Sequence, residues 1–237
     1  MRVGILQPYL LPYIGYFQLI NSVDHLVVYD DAQYTKKGWI NRNRFQTNGV
    51  ERKFTVPLER ASDFLNIRDR KISPSYVSVS TLNQITNAYN KSPNFPFVFE
   101  KIEEIFNFSE RNLFMFILNS IKVVNEYLDI KTPIVVSSDI HAAQGMGGKE
   151  RVVKICQELG AKTYINPQNG RSLYNQQDFE EQGIELLFLK SQLSEYHQSS
   201  MPFLPGLSIL DVMMMESVSE IKSRLLQDYV LLRGSDY

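Results

Sequence analysis

Polar and aromatic residues that can bind a ligand follow the first apolar run of the chain, residues 3–6. They are Gln7, Tyr13, Gly15 and Tyr16. An amide at a strand end can present its donors and acceptor to a polar ligand, and a glycine lets a ligand approach the backbone closely. The start of a helix there would also suit a phosphate group. We therefore interpret these four residues as substrate-binding, with packing and turn formation as the alternative.

Two adjacent carboxylates and an amide follow the second apolar run, residues 25–29. Asp30 and Asp31 cannot both point the same way from a strand, so one of them can face a cleft. We take Asp31 as a candidate catalytic residue, because a carboxylate at a cleft can act as a general base or as a ligand of Mg²⁺. Gln33 is a candidate for substrate binding. A solvated turn or a helix cap is the alternative for this segment.

A basic, aromatic segment comes next, at residues 36–44. Arginine can bind phosphate or carboxylate through two parallel hydrogen bonds, and tryptophan can stack on a sugar or a base. This mixture in a nearly neutral chain predicts a site for an anionic small ligand, such as a nucleotide-linked sugar. The alternative is an exposed edge strand protected by charges. The predicted substrate-binding residues here are Trp39, Asn41, Arg42, Asn43 and Arg44.

The carboxyl-terminal half offers three further candidates. Asn166 follows a short apolar run, and its amide can bind sugar hydroxyls, although turn chemistry explains it equally well. Asp211 lies three residues after Ser208, which favours a helix cap. The catalytic alternative has Asp211 one turn into a helix that points at the cleft, with His197 beside it. The glycine-rich stretch 144–149 lacks the spacing of a phosphate-binding loop. It precedes a predicted helix, so its backbone amides could hold an anion, and a flexible loop is an equal interpretation.

These residues must be positioned by an α/β fold. Apolar runs alternate with helical patterns, which favours parallel strands joined by helical crossovers. We predict a Rossmann-like, mostly parallel five-stranded sheet in a single domain, residues 1–237. A small β insert is expected at about 34–72, with a weaker second strand at 67–72, and a helical subdomain at about 73–131. The tail from 208 to 232 is predicted to form two helices.

Composition restricts the class of protein. The chain has 237 residues, 43% of them hydrophobic, which suffices for a sizeable core. A formal net charge of −1 argues against a nucleic-acid partner, since phosphate contacts demand a basic excess. The single Cys156 allows no internal disulfide, and we predict no metal site. Without a signal peptide or a membrane-length apolar run, we expect a cytoplasmic protein that does not insert into membranes. Whether the protein forms a homo-oligomer stays open.

Four stretches, taken in order, resemble the WbqC-like protein family over nearly the whole chain, from Gln7 to about Leu226. They are QPYLLPYIGYF, DDAQYTKKGWINRNRF, TYINPQNGRSLY and LSILDVM. Proteins of this family are associated with bacterial surface-polysaccharide gene sets, those for O-antigen and capsule. The resemblance therefore implies an enzyme that works on an activated sugar or on a group added to it. It supplies no settled catalytic residues.

The resulting hypothesis is a transferase that adds an acyl or aminoacyl group to the amine of a nucleotide-linked amino sugar. Arg42 and Arg44 would hold the diphosphate, and Asp31, Asp211 or His197 would accept the amine proton. The cofactor is unknown, with ATP or an acyl donor as options. One alternative is a non-catalytic protein that binds a sugar nucleotide for a partner enzyme. Another is a nucleotidylyltransferase, although the His-x-Gly-His pair of those enzymes is replaced here by two tyrosines.

Overall fold

A computed structural model describes residues 1–234 and 236. The central sheet contains six strands within these residues, in the order β5-β2-β1-β6-β7-β8, rather than the five that we predict from the sequence. The first five are parallel, and β8 is antiparallel to β7. The strands are β1 (Arg2–Leu6), β2 (His25–Val28), β5 (Ile134–Val136), β6 (Thr163–Pro167), β7 (Glu185–Ser191) and β8 (Tyr229–Leu232).

The sixth strand corrects the prediction for the tail. Residues 208–232 do contain two helices, α7 (Ile209–Met215) and α8 (Val218–Ser223), but the chain then turns back as β8. The segment before β8 is held to helix α1 (Ile14–Ser22), because the Gln18 amide donates to the carbonyl of Leu225 at 2.7 Å. The apolar run of β8 is too short to be told from a helix by periodicity, and its pairing with β7 decides it.

The predicted β insert is an antiparallel hairpin of β3 (Arg42–Thr47) and β4 (Val50–Thr55). Asn48 and Gly49 connect the two strands at φ values of 51° and 75°. Two positive φ values at the centre of a two-residue turn match the twist of a hairpin, and Asn-Gly is the favoured pair there. The predicted strand at 67–72 is wrong: Ile67–Asp69 forms a short 3₁₀ turn, and only an isolated bridge pairs Ile72 with Leu58.

Helices cover both faces of the sheet and form two hydrophobic clusters. On one face α1 packs with the helical block predicted at about 73–131, namely α2 (Ser78–Tyr89), α3 (Phe95–Phe106) and α4 (Leu113–Tyr127), together with α7. Gly4 of β1 permits this packing, since a Cβ there would lie 2.4 Å from Leu19 Cδ2. On the other face lie α5 (Gly148–Glu158) and α6 (Gln176–Glu180). The division of the chain into domains stays a prediction.

Candidate functional site

The order of the parallel strands has a reversal at β1. The chain passes from β1 to β2 on one side, and β6 is added later on the other side of β1. Ligands of open α/β sheets bind at such a reversal, beyond the carboxyl ends of the strands, because the crossover connections there diverge and leave a crevice. We call this place the switch point. It lies beyond the carboxyl ends of β1, β2 and β6.

Three polar side chains lie at the switch point on the face that α5 covers. Tyr29 follows β2 and packs against the cluster under α5. Asn166, in β6, is two residues beyond the buried Tyr164 and accepts a hydrogen bond from its hydroxyl at 3.1 Å. Gln7 is exposed just after β1, and strand alternation from Ile5 continues to the same face. The parallel pairing of β1 with β6 therefore puts Gln7 and Asn166, which the sequence predicts as substrate-binding, at the same edge of the sheet.

A buried ion pair forms the floor of the site. Arg151, from the first turn of α5, donates from Nη2 to Asp31 Oδ2 at 2.5 Å, and their side chains are 8% and 10% exposed. The Arg151 guanidinium lies 5.0 Å from the centre of the Tyr29 ring. Ser137, just after β5, has its hydroxyl 2.8 Å from one carboxylate oxygen of Asp31 and 2.8 Å from one of Asp30. Residues from two crossovers, the one from β2 to β5 and the one from β5 to β6, thus meet at Asp31.

A contribution to folding stability explains this buried ion pair poorly. Removing two charges from water costs several kcal/mol per ion, and apolar residues of similar size often stabilise as well or better. Here the ion pair lies where the topology opens a crevice. Its location favours a role in binding or reaction.

Two hydrogen-bond donors at the switch point have no acceptor among the described residues. They are Arg151 Nε and Asn166 Nδ2, both shielded from solvent. An unsatisfied buried donor costs about 1–3 kcal/mol, so such groups call for a specific reason. Two phenols stand close by. Burial raises the pKa of Tyr29 and of Tyr174, so both remain protonated at neutral pH and can donate.

Arg151 and Ser137 were not among the residues predicted from the sequence. The signal for Arg151 is present, because it lies four residues before the fully buried Ile155 on the apolar stripe of α5. An arginine within such a stripe must find a buried partner. No comparable signal marks Ser137, which is one of two serines after a short strand.

The predicted basic segment leads into the hairpin, and its arginines, at the start of β3, are occupied by internal contacts. Arg44 donates to Glu51 at 2.9 Å and to the carbonyl of Gly206 at 3.1 Å. Arg42 donates to the carbonyl of Lys36 at 2.5 Å. Trp39 is 43% exposed, and the Arg44 guanidinium is 5.7 Å from its ring centre. Of the five predicted substrate-binding residues in this segment, Trp39 is the most exposed.

The asparagine amides of the segment bind backbone. Asn41 is buried, donates to the carbonyl of Val56 at 2.7 Å and accepts from the Tyr34 hydroxyl at 2.9 Å. Asn43 is buried and donates to the carbonyl of Leu11 at 2.6 Å. These contacts fasten the hairpin internally and to the loop after β1. The predicted role of both asparagines in substrate binding stays a prediction.

Protein contacts also surround Gln33 and the predicted residues at the start of α1. Tyr16 is buried, and its hydroxyl has no partner among the described residues. A Cβ on Gly15 would lie 2.4 Å from the half-buried Tyr13 ring, so this glycine is needed for packing. Gln33 is exposed and donates to the carbonyl of Asp63 at 3.0 Å.

Asp211 and His197 lie in different surroundings from Asp31. Asp211 is fully buried and accepts hydrogen bonds from Tyr89 at 2.5 Å and Tyr196 at 2.7 Å. Burial raises the pKa of this carboxyl, and the two phenols oppose that rise. His197 is exposed, and its backbone N–H donates to Glu216. The predicted capping role of Ser208 is confirmed, since its hydroxyl accepts from the N–H of Leu210 at 3.3 Å.

The described residues contain neither a cluster of metal-binding side chains nor a membrane-spanning helix. No group of three or more His, Cys, Asp or Glu side chains in this part of the chain could hold a metal ion. Within the same residues, every helix is too short or too polar to cross a bilayer.

Comparison with known proteins gives a family and one relative. The model of the WbqC-like protein family matches residues 7–223. The uncharacterized protein Rv1507c of Mycobacterium tuberculosis is 30% identical over 216 residues, which cover 90% of this chain and 92% of the relative. No solved structure matches.

Proposed function

Since this chain belongs to the WbqC-like protein family, we propose that it acts on a nucleotide-linked amino sugar in bacterial surface-polysaccharide biosynthesis. The reaction is the transfer of an acyl or aminoacyl group to the sugar amine. The family resemblance supports the substrate class. The observation that carries the choice of site is the buried pair of Asp31 and Arg151 at the switch point.

The composition of the switch point suits a diphosphate-linked sugar. Arg151 and Asn166 offer buried donors, Gln7 offers an exposed amide, and the protonated Tyr29 can donate as well. Hydroxyls and phosphate oxygens of a nucleotide-linked sugar accept such hydrogen bonds. The mostly parallel six-stranded sheet supports this choice, because the switch points of open α/β sheets commonly bind nucleotides.

The chemistry requires a neutral amine and an activated acyl group. The amine nitrogen attacks the acyl carbon of a thioester or an acyl phosphate, forming a C–N bond. The bond from the acyl carbon to sulfur or oxygen breaks, and the leaving group takes that electron pair. The nitrogen loses one proton, which Asp31 accepts as general base, while Arg151 keeps its carboxylate in place. Neither metal nor redox chemistry is required by this step.

A second candidate is non-catalytic binding of the sugar nucleotide. It is favoured by the contacts of Asp31, because both of its oxygens are engaged, one by Arg151 and one by Ser137. A carboxylate held in this way can orient a binding arginine without moving a proton. In that case a partner enzyme would carry out the transfer.

The test is incubation of the protein with a panel of nucleotide-linked amino sugars and acyl donors, with the amide product detected by mass spectrometry. Asp31→Asn should lower the turnover number by about 100-fold or more, since general base catalysis contributes that much. Asp63→Asn is the matched control, because Asp63 forms an exposed ion pair with Lys36. Sugar binding without any amide product across the panel would favour the non-catalytic candidate.

A further inference from the structure

The first turn of α5 opens directly beside the switch point. A glycine-rich stretch leads into it, with Gly147 at the cap position and Gly148 as the first helical residue at φ +56°. A Cβ added at Gly145, Gly147 or Gly148 would meet nothing within 4 Å. The N–H groups of a first helical turn have no partner within the helix. Here no side chain caps them.

A second observation points to a ligand at the same place. Arg151 rises from this first turn towards the switch point and is 6% exposed, yet its Nε–H has no acceptor among the described residues. In the ion pair, Asp31 contacts Arg151 at Nη2. The neighbouring Nε–H points along the same edge of the guanidinium, which is the edge that binds two oxygens of an anion.

Resting on the proposed function, we infer that the first turn of α5 and Arg151 together bind a phosphate group of the nucleotide-linked substrate. The free N–H groups of the turn and the Arg151 Nε–H would donate to phosphate oxygens, and the glycines let the anion approach the backbone. The other charged side chains of this turn do not oppose phosphate binding. Lys149 pairs with Asp178 at 2.8 Å, and Glu150 is exposed to screening by solvent.

The chain provides a matched pair of variants for the test. Gly148→Ala places a Cβ on the first residue of α5, where φ is +56°, and disturbs the first-turn N–H groups. Gly160→Ala introduces the same kind of strain just beyond the other end of the helix, where φ is +68° and a Cβ also meets nothing. Arg151→Gln removes the charged donor. The probes are inorganic pyrophosphate, UDP and uridine, titrated calorimetrically into the full chain.

We expect Gly160→Ala to bind pyrophosphate with the same affinity as the wild type, and likewise UDP. Gly148→Ala and Arg151→Gln should bind both about tenfold more weakly, the ratio for losing a hydrogen bond to a charged group. An equal loss for both probes means that the phosphates are recognised alone. A loss confined to UDP means that they are recognised as part of a nucleotide. Uridine should bind all four proteins equally.

Gly148→Ala decides the inference, because Arg151→Gln can fail to fold. The inference is overturned if wild type and Gly148→Ala bind pyrophosphate and UDP with dissociation constants within about twofold of each other, or if the wild type binds neither. Intact phosphate binding without any amide product overturns the proposed transfer alone. An amide product formed equally well by Gly148→Ala overturns the phosphate site alone.

Discussion

The ion pair of Asp31 and Arg151 permits a quantitative test of the switch point. Asp31→Asn keeps the size of the side chain but removes its charge, which leaves the buried Arg151 guanidinium uncompensated. Loss of one partner of a buried pair costs about 3–5 kcal/mol of unfolding free energy. At about 2–4 °C per kcal/mol for a chain of this size, the midpoint of thermal unfolding should fall by about 6–20 °C.

Urea unfolding followed by circular dichroism measures this loss. The control Asp63→Asn removes an exposed pair, whose side chains are 67% and 56% exposed, and should cost no more than about 1 kcal/mol. The double variant Asp31→Leu with Arg151→Met should recover much of the stability, since apolar replacement of a buried pair is often neutral. It should not recover nucleotide-sugar binding. If Asp31→Asn is as stable as the control, the pair is not buried as described and the reasoning is refuted.

Three further predictions concern other side chains. Burial raises the pKa of Asp211, so above a pH of about 4 the folded chain retains a proton that the unfolded chain has released. The wild type should therefore lose stability relative to Asp211→Asn as the pH rises from about 4. A difference in urea unfolding that does not depend on pH would contradict this. Tyr16→Phe removes a buried hydroxyl without a partner among the described residues and should stabilise the fold by about 1–3 kcal/mol, whereas a loss of stability would show that the hydroxyl has a partner. Trp39 is the only tryptophan, so its fluorescence should change when a nucleotide-linked sugar stacks on it, and constant emission at saturation would remove it from the site.

The elements that are predictable from the sequence are those fixed by local pattern. β1, α1 and β2 follow from two apolar runs around an amphipathic segment, and the Asn48-Gly49 turn agrees with a hairpin. The misassigned β8 depends on a partner strand about forty residues away in sequence. Within 67–72 a short 3₁₀ turn forms, and other N–H groups of the segment donate to carbonyls distant in sequence. Arg70 also stacks on Tyr34 at 4.7 Å, and the sequence pattern reveals none of these contacts.

The candidate site likewise contains residues that local pattern predicts and residues that only the fold brings together. Asp31, Gln7 and Asn166 are predictable because polar residues after parallel strands meet at one edge. Arg151 reaches Asp31 across 120 residues, and only the crossover of α5 over the sheet brings them together. Asn43 carries an amide that suits a sugar and a backbone carbonyl equally, so its residue type cannot distinguish the two partners.

The loop after β1 connects the hairpin with the switch point, and its shape is costly. Leu11 is buried at φ +44°, a left-handed conformation that costs a bulky residue about 1–3 kcal/mol. Two side chains from distant segments hold it there: Asn43 and Ser208 both donate to its carbonyl, at 2.6 and 2.7 Å. Because the same loop begins at Gln7, these two hydrogen bonds also fix the backbone that leads from the switch point to the hairpin.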